Sequence, residues 1–118
     1  MSAETTYPGG CHCGAVQFEV TMALTGVMAC NCSMCSKRGA LLAFAPAAAF
    51  TLTKGAGATT VYRFNKHAID HHFCTTCGIA SFSRGVFKTD AKVMINVRCL
   101  DGVDADALPV KHVDGRSF

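Results

Sequence analysis

The sequence predicts one all-β domain stapled by metal, on three observations. Apolar residues make up 50% of the 118 residues and charged residues 16%, with 11 glycines. That is the composition of a compact, turn-rich chain with enough apolar surface for a core. Short runs that alternate apolar and polar residues recur between turn signals, and no segment carries a long helical stripe. Seven of the 8 cysteines fall into three short clusters. A tetrahedral cation with Zn–S bonds of about 2.3 Å takes sulfurs about 3.8 Å apart, whereas disulfides between such near neighbours would close strained rings.

The strands follow in order. Residues 15–20 alternate apolar and polar after the Gly14 turn, so the first cluster stands at a strand's entrance. Residues 27–29 lead into the second cluster and residues 40–45 leave it. Pro46 opens Ala47-Ala48-Ala49 as a single helical turn, since proline is accepted at a helix start. Residues 50–53 end at the Gly55-Ala56-Gly57 turn, and residues 59–64 form another strand. Residues 68–73 enter the third cluster, residues 79–83 leave it, and residues 92–97 precede the Asp101-Gly102 turn. Phe18, Phe44, Phe50, Phe64, Phe73, Phe82 and Phe87 are assigned to the core between sheets rather than to a ligand. No linker, low-complexity tract or strong repeat interrupts the chain, so residues 1–118 read as one domain.

The net charge of +3 comes from scattered lysines and arginines. It leaves no electrostatic footprint for nucleic acid and at most a mild attraction for anionic small molecules. Seven thiolates around two Zn²⁺ ions would bring the molecule close to neutrality. The N-terminus has no positive region followed by an apolar stretch, so it does not read as a signal peptide. The apolar run over residues 40–50 is broken by Pro46 and is far below the ~20 residues of a membrane helix. The expectation is a cytoplasmic protein with no membrane partner, in a compartment that keeps thiols available as ligands.

Each cluster carries its own chemistry. In Cys11-His12-Cys13 the two cysteines share one face of an extended segment, and Gly10 and Gly14 allow a tight turn around a shared ion. Cys74-Thr75-Thr76-Cys77-Gly78 has knuckle spacing, with a glycine that lets backbone N–H groups approach the sulfurs. Cys11, Cys13, Cys74 and Cys77 are therefore assigned to one closed, structural site. Cys30-Asn31-Cys32-Ser33-Met34-Cys35 offers three ligands in one loop, and three protein ligands with one vacant position mark catalytic zinc. Three thiolates acidify bound water weakly and suit a soft incoming thiol, so Cys30, Cys32 and Cys35 are read as a site presenting a thiolate to an electrophile such as an aldehyde. Lys37 and Arg38 stand next to it, placed to offset its charge or to hold a substrate carboxylate.

Gly10-Cys11-His12-Cys13-Gly14, Phe18-Glu19-Val20, the second cluster, Phe73-Cys74-Thr75-Thr76-Cys77-Gly78 and Asn96-Val97-Arg98-Cys99-Leu100-Asp101 occur in order over nearly the whole chain. In this the sequence resembles the glutathione-dependent formaldehyde-activating enzyme family, to which centromere protein V is also similar. The resemblance implies a β-tent fold, a structural zinc on Cys11, Cys13, Cys74 and Cys77, and a catalytic zinc on Cys30, Cys32 and Cys35. It also implies a carbon–sulfur lyase that adds glutathione reversibly to formaldehyde, giving S-hydroxymethylglutathione.

The other candidates stay open. Cys99 reads as a small buried hydrophobe, a fourth ligand for the middle cluster, or a reactive thiol. His12 points away from its neighbouring cysteines and is expected to support the ligands rather than bind. His71 and His72 are possible proton donors, though nothing in their spacing demands it. Two other function classes compete: a non-catalytic zinc module or thiol carrier with protein or nucleic-acid partners, and a redox dithiol at Cys74 and Cys77. No βαβ pattern surrounds the latter pair, and clustered basic residues are missing for the former.

Overall fold

The computed structural model describes residues 4–64, 68–87 and 89–115. Its strands are β1 (Thr5–Gly10), β2 (Gln17–Met22), β3 (Val27–Cys30), β4 (Leu42–Pro46), β5 (Phe50–Lys54), β6 (Thr59–Tyr62), β7 (Ile69–Cys74), β8 (Phe82–Phe87), β9 (Asp90–Asn96) and β10 (Val110–Val113). A six-residue helix, α1 (Ser33–Arg38), follows β3. The fold is all-β, as expected. The strands form a three-stranded sheet, β1-β2-β5, and a seven-stranded sheet, β10-β3-β4-β9-β8-β7-β6. Neighbours pair antiparallel except β10 with β3, which run parallel.

Alternation places the core. Along β2, Phe18 and Val20 point inward while Gln17 and Glu19 face solvent, the period-2 pattern of a half-buried strand. Phe18 and Phe50 from the smaller sheet meet Phe82 from the larger one, with ring centroids 5.1 Å and 4.9 Å apart at successive contacts. Each such pair contributes about 0.5–1.5 kcal/mol beyond simple area burial. Val93, Ile95 and Val97 complete this layer and are fully buried. Arg84 lies over both Phe50 and Phe82, closing the aromatic cluster with a cation–π contact. Among the described residues, no helix is long and apolar enough to cross a membrane.

The expected Ala47–Ala49 turn is present as a 3₁₀ turn. Three elements escape the sequence pattern. β1 contains Pro8, Gly9 and Gly10, which read as breakers, yet it pairs along its whole length with β2 at the edge of the smaller sheet, where proline is tolerated. β10 is short and mostly exposed, and its pairing partner β3 is remote in sequence. α1 is too short for a periodic signal and depends on its caps: Cys32 Sγ accepts from the Cys35 N–H, and Gly39 ends the helix at φ 70°.

The phenylalanine assignment needs correction. Phe18, Phe50 and Phe82 are core residues, but Phe44 is 37% exposed and Phe64 is half-buried beside a cavity. On β4 the small Ala43 and Ala45 take the inward positions, which turns the Phe44 ring to the other face. Phe73 is half-buried, and the Phe87 side chain lies outside the described residues. β8 also starts later than the alternation suggests. The chain first completes the knuckle, with the Gly78 N–H on the Cys74 carbonyl and the Cys74 N–H on the Ile79 carbonyl.

Candidate functional site

The seven clustered cysteines gather into two groups. Cys11, Cys13, Cys74 and Cys77 have all four sulfurs within 4.8 Å of one another, as do Cys30, Cys32 and Cys35. Every cysteine is a free thiol.

The four-sulfur group joins the turn after β1 to the turn after β7. The Cys11 N–H on the Val16 carbonyl and the Val16 N–H on Cys11 Sγ close the first turn, with Gly14 at φ 83°. In the second turn the N–H groups of Thr76 and Cys77 both donate to Cys74 Sγ, and Gly78 takes φ 79°. Cys13 Sγ stands 3.7 Å from Cys11 Sγ and 3.6 Å from Cys74 Sγ, close to the ~3.8 Å edge of a tetrahedral zinc–thiolate site. The sulfurs titrate as a crowd. N–H groups of Ile79 and Cys13 hold Cys77 down to about 6. The Ala15 N–H favours ionised Cys13, but burial and the sulfurs of Cys74, Cys11 and Cys77 push its thiol up to about 11. Four sulfurs so close cannot all ionise at neutral pH unless a cation shares them, and a divalent metal fits that donor set. A redox dithiol would need only two of the four.

The three-sulfur group is local. Cys30 ends β3, Cys32 caps α1 and Cys35 lies in its first turn. Burial opposes ionisation of Cys32, yet the Cys35 N–H, the Cys35 and Cys30 thiols and the Met34 N–H together hold it below the ordinary thiol value. Cys35 goes the other way, pushed up to about 12 by burial and by its hydrogen bond and charge relation to Cys32 and Cys30. Among the described residues no fourth His, Cys, Asp or Glu completes the group. Instead it opens on a cavity of about 460 Å³.

Other predicted residues divide. Lys37 is exposed, but Arg38 lines the cavity, its Nη2 4.0 Å from Cys35 Sγ. His71 also lines the cavity, buried, stacked on Phe64 at 5.3 Å and with Nδ1 3.3 Å from Ser83 Oγ. Burial and then the nearby Arg38 charge lower its pKa, so its imidazole is neutral at pH 7. His72, next along β7, points to the opposite face, stacks on Phe82 at 4.7 Å and pairs with Thr59 Oγ1. It stands apart from the cavity. His12 is exposed and joins neither sulfur group. Cys99 is half-buried and joins neither group, so it does not close the middle site. Burial, then the neighbouring Cys11 and Cys77 sulfurs, push its thiol up to about 11.

Three contributors had no sequence signal strong enough to place them. Phe44 and Phe64 wall the cavity from separate strands of chain. Gly115, just after β10, packs so closely on the loop that an added Cβ would collide with Cys30 Sγ. Asn31 donates to Asp114 at 2.9 Å, holding this approach in place.

Fold and site together define a small all-β protein built around two thiol groups suited to metal, one enclosed by four cysteines and one open to a cavity. A family model described as glutathione-dependent formaldehyde-activating enzyme matches residues 6–113, and the chain belongs to that family. It is also similar to the crystal structure of a Rhodobacter sphaeroides protein, a Northeast Structural Genomics target, with a TM-score of 0.78 and 33% identity, covering 88% of this chain and 99% of that one.

Proposed function

We propose that residues 1–118 act as one cytoplasmic domain that binds two zinc ions and works as a carbon–sulfur lyase. Its substrates are glutathione or a related thiol and a small electrophile such as formaldehyde, the thiol being added to the carbonyl carbon or released from it. Cys11, Cys13, Cys74 and Cys77 hold the structural ion, and Cys30, Cys32 and Cys35 hold the catalytic one. The second group carries this reading, because its three sulfurs face a cavity and no fourth ligand stands beside them among the described residues. Zinc bound there supplies one further position for a soft donor and favours the ionised form of a thiol.

The chain's own residues handle charge and proton. Arg38 offsets the negative charge of the cysteines and offers a guanidinium to a substrate carboxylate. Neutral His71, its Nδ1 engaged with Ser83, has Nε2 left to exchange a proton. In the addition direction sulfur's electron pair forms the S–C bond, the carbonyl π pair moves to oxygen, and that oxygen takes the proton that sulfur gave up. No redox change occurs. Apolar walls around the reacting atoms exclude water that would compete for the electrophile.

Replacing Cys32 by Ser tests the assignment through zinc stoichiometry, thermal midpoint and glutathione titration. Loss of one zinc equivalent and of glutathione binding, with the fold kept, is expected. Collapse of the fold, or glutathione binding unchanged in the variant, would overturn it.

A further inference from the structure

His71 and Ser83 are buried polar residues, 5% and 3% exposed, and they stand directly opposite each other on β7 and β8. Directly opposed residues share one face of a sheet, and here that face carries both into the cavity beside Cys30, Cys32 and Cys35. The imidazole is held on two sides. Phe64 stacks on its ring at 5.3 Å with the planes 25° apart, and Ser83 Oγ meets its Nδ1 at 3.3 Å. Nε2 has no hydrogen-bond partner among the described residues, so it is the ring nitrogen left for a ligand. Burying an imidazole and a hydroxyl costs desolvation that two apolar residues in the same places would not incur.

Hydrogen-bond accounting sets the tautomer. A serine hydroxyl has one proton to give, and a neutral imidazole has one N–H and one bare nitrogen. If Nδ1–H donated to Ser83 Oγ, the buried hydroxyl proton would need an acceptor elsewhere, and His71 is the side-chain partner Ser83 has among the described residues. With the hydroxyl donating to a bare Nδ1, neither group of the pair is left wanting a partner. The imidazole proton then sits on Nε2. Arg38 keeps the ring in this neutral form: its Nη2 lies 4.0 Å from Cys35 Sγ, and its charge adds to burial in disfavouring an imidazolium at His71. One guanidinium thus bears on both the sulfur group and the ring.

We propose that His71 presents its Nε2–H as a hydrogen-bond donor to the carbonyl oxygen of the electrophile, and that Ser83 is the positioning residue that fixes this tautomer. The proposal deepens the lyase reading above and rests on it. In the addition direction sulfur's electron pair forms the S–C bond and the π pair passes to oxygen. The Nε2–H bond strengthens as that oxygen becomes anionic, which lowers the barrier more than it stabilises bound substrate. The proton given up by sulfur completes the hydroxyl, and Nε2 carries a proton before and after. Release runs through the same steps in reverse.

Nitrogen NMR of the zinc-loaded protein with isotope-labelled histidine, at neutral pH, tests the tautomer without reference to activity. The His71 signals, identified by their loss in His71→Gln, are expected to show a protonated Nε2 and a bare Nδ1 that accepts a hydrogen bond. In Ser83→Ala the Nδ1 signal is expected to move towards that of an unbonded ring nitrogen. A proton on Nδ1 in the parent, or an unmoved Nδ1 signal in folded Ser83→Ala, would overturn the proposal and leave the lyase reading standing. Rates of adduct formation from glutathione and formaldehyde, measured above the uncatalysed background, test the role. Loss of one such donor costs ~10²–10³ in kcat, so His71→Leu is expected to lose about 100-fold or more in kcat with KM for glutathione little changed. Glutamine also offers an N–H but cannot serve as a base, so His71→Gln is expected to stay within about tenfold of the parent. A His71→Gln protein as slow as His71→Leu would overturn the donor role. A parent that does not accelerate adduct formation at all would sink the lyase reading, and the oxygen role with it, even with the tautomer as expected.

Discussion

The two sulfur groups are drawn from very different lengths of chain. Cys13 meets Cys74 across a separation of 61 residues, tying the turn after β1 to the turn after β7. Cys30, Cys32 and Cys35 come from one loop at the start of α1 and tie nothing together that is not already adjacent. The first group is closed on itself, and the second faces a cavity. Number of sulfurs and distance along the sequence thus separate a group that spans the fold from one that is local and open to a cavity.

The contrast is easiest to break at the long-range group. Structural zinc contributes about 10–16 kcal/mol in small peptides, comparable with the ~5–15 kcal/mol stability of a whole domain. Cys77→Ser is therefore expected to abolish the cooperative thermal transition, read by circular dichroism with zinc analysis alongside. Cys32→Ser, at the local group, is expected to lose one zinc equivalent while keeping that transition. A folded Cys77→Ser protein paired with an unfolded Cys32→Ser one would reverse the comparison.

A subtler change sharpens it. Gly115→Ala drives a methyl group against Cys30 Sγ without replacing any of the three cysteines. Metal affinity at the three-sulfur group is expected to fall by about 10–100-fold, the usual cost of disturbing a ligand's support. Competition with a chelator measures this, and the four-sulfur group serves as internal control.

The next effect is one of pH. Burial depresses the pKa of His71 below its ordinary 6.5, so between the folded and unfolded values the unfolded chain binds more protons. His71's contribution to stability is complete above pH 6.5 and is lost as pH falls through that value towards the depressed one. Thermal midpoints at about pH 7.5 and about pH 5.5 are expected to differ less in His71→Gln than in the parent at equal zinc content. The smallest effect belongs to Cys99→Ala. Joining neither group, Cys99 is expected to cost about 1 kcal/mol or less with both zinc equivalents retained.

What the sequence made legible follows the same division. Cysteine spacing is local, and a tetrahedral ion's demands are strict, so both groups could be assigned from the clusters alone. β2 was legible from its alternation, with Phe18 and Val20 inward. The cavity was not, because its walls are brought together by sheet pairing: Phe44 from β4, Phe64 from beyond β6, and His71 from β7. An aromatic residue in an apolar run carries no mark of which face it takes, so Phe44 and Phe64 resembled core residues. His71 and His72 were equally indistinguishable until β7 set one towards the cavity and the other towards Phe82. β10 was obscured for a related reason: its parallel partner β3 lies far away along the chain, and its own side chains are mostly exposed.

The placement of β10 reaches into how the molecule is made. During translation all seven clustered cysteines leave the ribosome well before Val110 does, yet Val113 and Gly115 form one wall beside Cys30. On the proposed two-zinc reading, a nascent chain would seat its first ion while the second seat still lacked a side, and a chain cut back before Val110 is expected to carry one zinc equivalent instead of two, as metal analysis would read.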